Sequence, residues 1–161
     1  MPRSPFQLRM SIPPQWEHIE RLQQAVGTCL SLGLSDDEFC DALMLVSGEL
    51  LENAIKYGDW AHARDQQELD LHIFTTGEAS TVVEVANPID LSSEHLERAK
   101  QMVQHINSAR SPIEAYQARM VEIGGSGEEG GLGLHRIAYQ GNCWITTYVE
   151  GSTLRMKAFF K

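Results

Sequence analysis

Apolar residues alternate with polar ones at Phe6, Leu8, Met10 and Ile12, and the alternation stops at Pro13-Pro14. Period-two spacing predicts a strand with one buried face, closed by residues that offer no backbone N–H. The period then changes: Trp16, Ile19, Leu22, Val26 and Cys29 recur at helical spacing as far as Gly33, which predicts a helix laying one apolar stripe on a core. Ser35 with Glu38 has the form of a capping box, and Phe39, Leu43, Val46, Leu50 and Ala54 mark one face of a second helix. Gly58, directly after Tyr57, is the predicted stop of that helix.

Leu69, Leu71 and Ile73 alternate again, Gly77-Glu78 reads as a turn, and the valine-rich run 81–86 predicts the second strand of a hairpin. Ser92 or Ser93 is placed to cap a helix carrying Leu96, Ala99, Val103 and Ile106. Ser111-Pro112 with Glu114 opens another by cap, first-turn proline and returning glutamate. A short helix from Leu134 to near Gly141 and a hairpin of 144–149 with 153–160 around Glu150-Gly151 complete the chain. The predicted order is strand, helix, helix, strand, strand, three helices, strand, strand. Each sheet face or helix stripe needs an apolar partner, so the expected fold class is α+β, a two-layer α/β sandwich with a mostly antiparallel sheet covered by helices on one face.

Composition narrows the function classes. A chain of 161 residues with 42% hydrophobic content fills one core and is short for two, and no linker or internal repeat divides it, so 1–161 is expected to be a single domain. No apolar run approaches the roughly 18 residues of a membrane span, and MPRSPFQLRM lacks the apolar segment of a secretory signal, so no membrane association and a cytoplasmic location are expected. Cys29, Cys40 and Cys143 are odd in number and form no CxxC pair, which points to reduced thiols rather than disulfides or zinc. A net charge of −9 opposes binding to a nucleic-acid backbone.

Two constellations carry chemistry. In Glu49-Leu50-Leu51-Glu52-Asn53 the i,i+4 spacing sets the Glu49 carboxylate and the Asn53 amide side by side on one helix face, embedded among Leu50, Leu51, Ala54 and Ile55. A carboxylate there is suited to orient or deprotonate an attacking group, and an amide oxygen is a hard ligand for Mg2+ that already holds substrate phosphates. Lys56, one turn on, is placed to meet phosphate charge. The second constellation runs from Gly124 and Gly125 through Gly127, Gly130, Gly131 and Gly133 to Leu134, just before a helix. Residues without Cβ expose backbone amides, and together with the positive helix end these can wrap a phosphate chain. Glu128 and Glu129 within the loop repel phosphate, which suits a mobile lid better than a permanent wrap.

Together, segments 49–58 and 124–135 resemble those of the GHKL (histidine kinase-like) ATPase superfamily. GELLENAIKYG at 48–58 looks like its asparagine box and GGLGLHRIA at 130–138 like its distal glycine box, in the expected order. The resemblance implies a Bergerat-type fold that binds ATP with Mg2+. It makes Glu49 the catalytic or water-positioning acid, Asn53 the magnesium ligand, and Gly131, Gly133 and Leu134 the phosphate-facing lid boundary. The adenine-reading box departs from the family pattern: Asn87 stands where an aspartate is expected, Pro88 replaces a flexible glycine and removes an N–H, and Asp90 is a fallback. Asn87 retains a side-chain oxygen that can accept from the adenine amino group.

The length leaves no room for the transducing domains of the larger members. The chain resembles the short anti-sigma or partner-switching kinases, in which such a domain phosphorylates a serine or threonine of a small antagonist protein. The helical insertion at 92–123 is similar to a bacterial subgroup associated with such switches. That resemblance implies a small regulatory protein as substrate or ligand, and homodimers are frequent in it. The alternatives are a catalytically degenerate module that sequesters a regulator without phosphotransfer, and a slow stand-alone ATPase.

Overall fold

A computed structural model describes residues 5–63, 68–76, 80–126 and 132–161. The elements follow the predicted order: β1 (Gln7–Ile12), α1 (Ile19–Gly33) after a short 3-10 turn at Trp16–His18, α2 (Asp37–Tyr57), β2 (Leu69–Thr75), β3 (Thr81–Pro88), α3 (Glu94–Ser108), α4 (Pro112–Ser126), α5 (Gly133–Gly141), β4 (Trp144–Glu150) and β5 (Thr153–Phe160). The strands form one sheet in the order β1-β2-β3-β5-β4, and every neighbouring pair is antiparallel.

The alternation read from the sequence is the alternation of sheet faces. Leu71, Val85 and Met156 align across β2, β3 and β5, as do Ile73, Val83 and Ala158, and all are buried on the face that helices α2, α3 and α5 cover. On the opposite face the same strands align His72, Glu84 and Lys157, with Glu84 ion-paired to Arg155 at 3.1 Å and to Lys157 at 3.2 Å. The fold is a two-layer α/β sandwich, with one apolar core between sheet and helices. Helix α1 packs on α2, where a Cβ at Gly27 would meet the Met44 sulfur at 2.8 Å.

Local signals differ in three places. The cap of α2 is Asp36, not Ser35: its carboxylate accepts from the Phe39 N–H at 3.0 Å. Both residues are competent caps, and the longer acidic side chain one position on wins. Gly58 does end α2, but in an extended conformation (φ −68°, ψ 145°) rather than a left-handed one. Its glycine is required by crowding, because a Cβ there would lie 2.6 Å from the Ala54 carbonyl oxygen, which accepts from the Gly58 N–H and from Trp60 Nε1. Finally, Gly124 and Gly125 lie in the last turn of α4 rather than in a loop. The Gly77-Glu78 turn, Gly127 and Gly131 lie outside the described residues.

Of the three cysteines, all free, Cys40 and Cys143 are buried and Cys29 is half-buried. Burial pushes the Cys143 thiol up to about 12. Among the described residues no helix is long and apolar enough to cross a membrane.

Candidate functional site

Helices α2 to α5 meet the sheet around a cavity of about 600 Å3. Its floor is the end of the central strands: Val85 and Asn87 of β3, Ile89 just beyond, and Leu154 and Met156 of β5. Helix α2 contributes Leu50, Asn53, Ala54, Lys56 and Tyr57, and α5 contributes Gly133 and Leu134 from its first turn. The remaining wall comes from α3, with His95, Leu96, Arg98, Ala99, Gln101 and Met102, and from Arg119 of α4.

The cavity therefore gathers Asn53, Lys56, Asn87, Gly133 and Leu134, which the sequence singled out from three separated segments. Among the described residues the Asn53 amide has no hydrogen-bond partner, and neither Lys56 nor Arg98 has a carboxylate partner. Lys56 lies 5.1 Å above the Tyr57 ring. Leu132, the N-cap of α5, makes no side-chain cap hydrogen bond, and the first two helical residues, Gly133 and Leu134, line the cavity.

Asn87 departs from its expected setting. The run 81–86 continues as strand through Pro88, because β5 goes on pairing, Asn87 with Leu154 and Pro88 with Thr153. Asn87 is thus a strand residue, 4% exposed, one position beyond the predicted end of β3. Its Nδ2 donates to the Pro88 carbonyl at 2.8 Å, and the same carbonyl accepts from the Asp59 N–H at 2.9 Å, tying the end of β3 to the end of α2. A carbonyl only accepts, so the atom facing it must be the amide nitrogen, which leaves Oδ1 as Asn87's side-chain acceptor for a ligand. Asp90 is occupied elsewhere, accepting from the Ser92 N–H and hydroxyl, which hold its carboxyl below the usual range.

Glu49 and Gly125 are not among the cavity-lining residues. Glu49 is bound by Arg136 of α5 at 2.9 Å, a pair formed across 87 positions of sequence. Arg98 and Arg119 belong to the segment 92–123, whose sequence marks it as a helical insertion and gives neither residue a role. A signal existed for the first: His95, Arg98, Ala99 and Met102 fall at i, i+3, i+4 and i+7, a mixed stripe beside the apolar stripe of Leu96, Val103 and Ile106. Also unforeseen was His135, fully buried with Nε2 2.8 Å from His105 Nδ1 and Nδ1 unpartnered.

No family model matches the chain, and no curated protein matches it. Among solved structures it is similar to a chain of "The crystal structure of SiaB-SiaC complex from Pseudomonas aeruginosa", with a TM-score of 0.66 and 16% sequence identity over 95% of this chain and 88% of that one. At that identity the likeness extends to the fold alone.

Proposed function

We propose that the cavity binds ATP with Mg2+, and that the protein is a serine/threonine-protein kinase acting on a small partner protein in a partner-switching module. The observation that carries the reading is the charge of the wall. In a chain with 22 acidic and 13 basic residues, the cavity is lined, among the described residues, by Lys56, Arg98 and Arg119 and by no aspartate or glutamate. Such a wall selects an anion, and the apolar floor with a single acceptor at Asn87 suits a flat group bearing an amino function, as adenine does. The Asn53 amide fits a magnesium ion shared with phosphate oxygens; such an ion supplies hard charge that screens the phosphate chain.

In the reaction, the γ-phosphoryl group passes from ATP to a serine or threonine hydroxyl of the partner, leaving ADP, while Glu49 orients the hydroxyl and takes its proton. The added charge of nearly two units opposes rebinding at a packed interface and so switches the partner. Support for a protein partner comes from the likeness to a chain solved in a two-protein complex.

Mg-ATP at 100-fold excess over its dissociation constant is expected to stabilise the protein by about 2.7 kcal/mol in thermal unfolding, with Asn53→Ala losing the magnesium-dependent part. Absence of any stabilisation of the wild type would refute the nucleotide reading. Transfer of labelled γ-phosphate to a co-encoded small protein tests the kinase, and Glu49→Ala should lose transfer while keeping binding. A second reading is favoured by one contact: the Glu49–Arg136 pair occupies the proposed acid, as in a degenerate module that holds a regulator without phosphotransfer. That reading predicts nucleotide binding and partner capture with no labelled product.

A further inference from the structure

Arg119 differs from the other cavity cations. Its side chain is 13% exposed, and its Nη1 donates to Glu122 Oε2 at 3.0 Å, one turn on in α4. The other oxygen of Glu122 lies 3.7 Å from His105 Nε2 of α3, and His105 Nδ1 lies 2.8 Å from Nε2 of the buried His135 of α5. A chain of four side chains therefore joins the three helices that form one wall, and it ends on a cation in the cavity. Two neighbours of His135, Gly133 and Leu134, line that same cavity.

An arginine–glutamate pair one turn apart is ordinary on an exposed helix face, where it contributes little. This guanidinium is instead largely buried and lines a cavity that, among the described residues, has no acidic side chain. Guanidinium carries five N–H donors in a rigid fork, so a bond to Glu122 is compatible with a second, external anion. A cation whose rotamer is already fixed loses less freedom on binding than the exposed Lys56 or Arg98.

We propose that Arg119 is a binding residue for the phosphate chain of the nucleotide, and that Glu122 and His105, backed by His135, are positioning residues that aim its guanidinium. This rests on the ATP-site reading and adds the wall of α3 and α4 to it. The Glu122 carboxyl is held below its ordinary value, first by the hydrogen bond from Arg119.

Calorimetric titration of the full chain with ATP and with adenosine tests the proposal. Arg119→Ala should weaken ATP by at least about tenfold, as for loss of a charged hydrogen bond, and leave adenosine within about twofold. Arg119→Lys should recover part of the loss, while Glu122→Gln and His105→Leu should weaken ATP by about threefold and spare adenosine. Arg119→Gln, which keeps the length and an N–H but not the charge, serves as the second variant should the alanine chain fail to fold, with at least about fivefold loss for ATP alone. Undiminished ATP affinity in the Arg119 variants, or equal loss of ATP and adenosine, overturns the proposal while the ATP site stands. A wild type that binds neither ligand overturns the ATP reading and this proposal with it.

Discussion

The wall of the cavity that the sheet supplies, Val85, Asn87, Leu154 and Met156, carries no charged side chain, whereas the helices supply Lys56, Arg98 and Arg119. The two walls are also held differently. Strand β3 lies between β2 and β5, and Asn87 is fixed by its pairing with Leu154 of β5 and by the Pro88 carbonyl. The helices α3, α4 and α5 meet through side chains, among them the stacked rings of Tyr116 and Tyr139 at 4.9 Å and the His105–His135 pair. A rigid, uncharged wall is suited to read the shape and hydrogen-bonding edge of a base. A cationic wall joined by side chains is suited to gather a phosphate chain whose length varies.

The helix wall should therefore be the acid-sensitive one, and His135 gives the largest expected effect. Its value is lowered to about 4 from 6.5, first by burial and then by the charges of His105 and Arg119, with Glu122 opposing. Because the unfolded chain takes up this proton first, the contribution of neutral His135 to stability is complete above pH 6.5 and is lost as pH falls toward 4. At about 1.4 kcal/mol per unit of displacement the loss reaches at most roughly 3 kcal/mol. In denaturant unfolding, the stability lost by the wild type across that window should exceed the loss in His135→Gln by up to this amount. Parallel pH profiles would remove the distinction between the walls.

The sheet wall is probed by Asn87→Leu. Removing the acceptor leaves the exocyclic amino group of the base unpaired, at a cost of about 1–3 kcal/mol, or roughly tenfold to a hundredfold in affinity, equal for ATP and adenosine. The wild type should prefer adenosine to inosine, which lacks that amino group, and the variant should lose the preference. A loss confined to ATP would place Asn87 with the phosphates and contradict the division of labour between the two walls.

The sheet wall was also the more legible in sequence. Alternation at Leu69, Leu71 and Ile73 and the valine run of β3 are local signals, because one buried sheet face imposes period two. What the alternation did not reveal was the end of β3: pairing of Asn87 and Pro88 with Leu154 and Thr153 of β5 outweighs the turn preference of Asn-Pro. On the helix wall, Asn53 and Lys56 were legible as polar residues on a helix that continues from an apolar stripe. Arg119 was not, since its value depends on α4 folding back against α3 and α5, and nothing in its neighbours' spacing marks that. The Glu49–Arg136 contact is likewise a product of tertiary packing, with α2 and α5 brought together from distant parts of the chain.

The smallest expected effect separates the cations of the helix wall from one another. Lys56 and Arg98 are exposed, and water and salt screen what they offer a phosphate chain. Lys56→Ala and Arg98→Ala should each weaken ATP by only about twofold, and raising ionic strength should erase even that difference. Arg119, at 13% side-chain exposure, is screened less, so its contribution should persist in the same salt titration. Adenosine binding should be unmoved by all three substitutions if, as proposed, the base is read by the sheet wall alone. If salt instead erased the Arg119 effect as readily as the Lys56 effect, burial would confer no advantage on that guanidinium, and the helix wall would act as a diffuse positive field rather than through one positioned ligand.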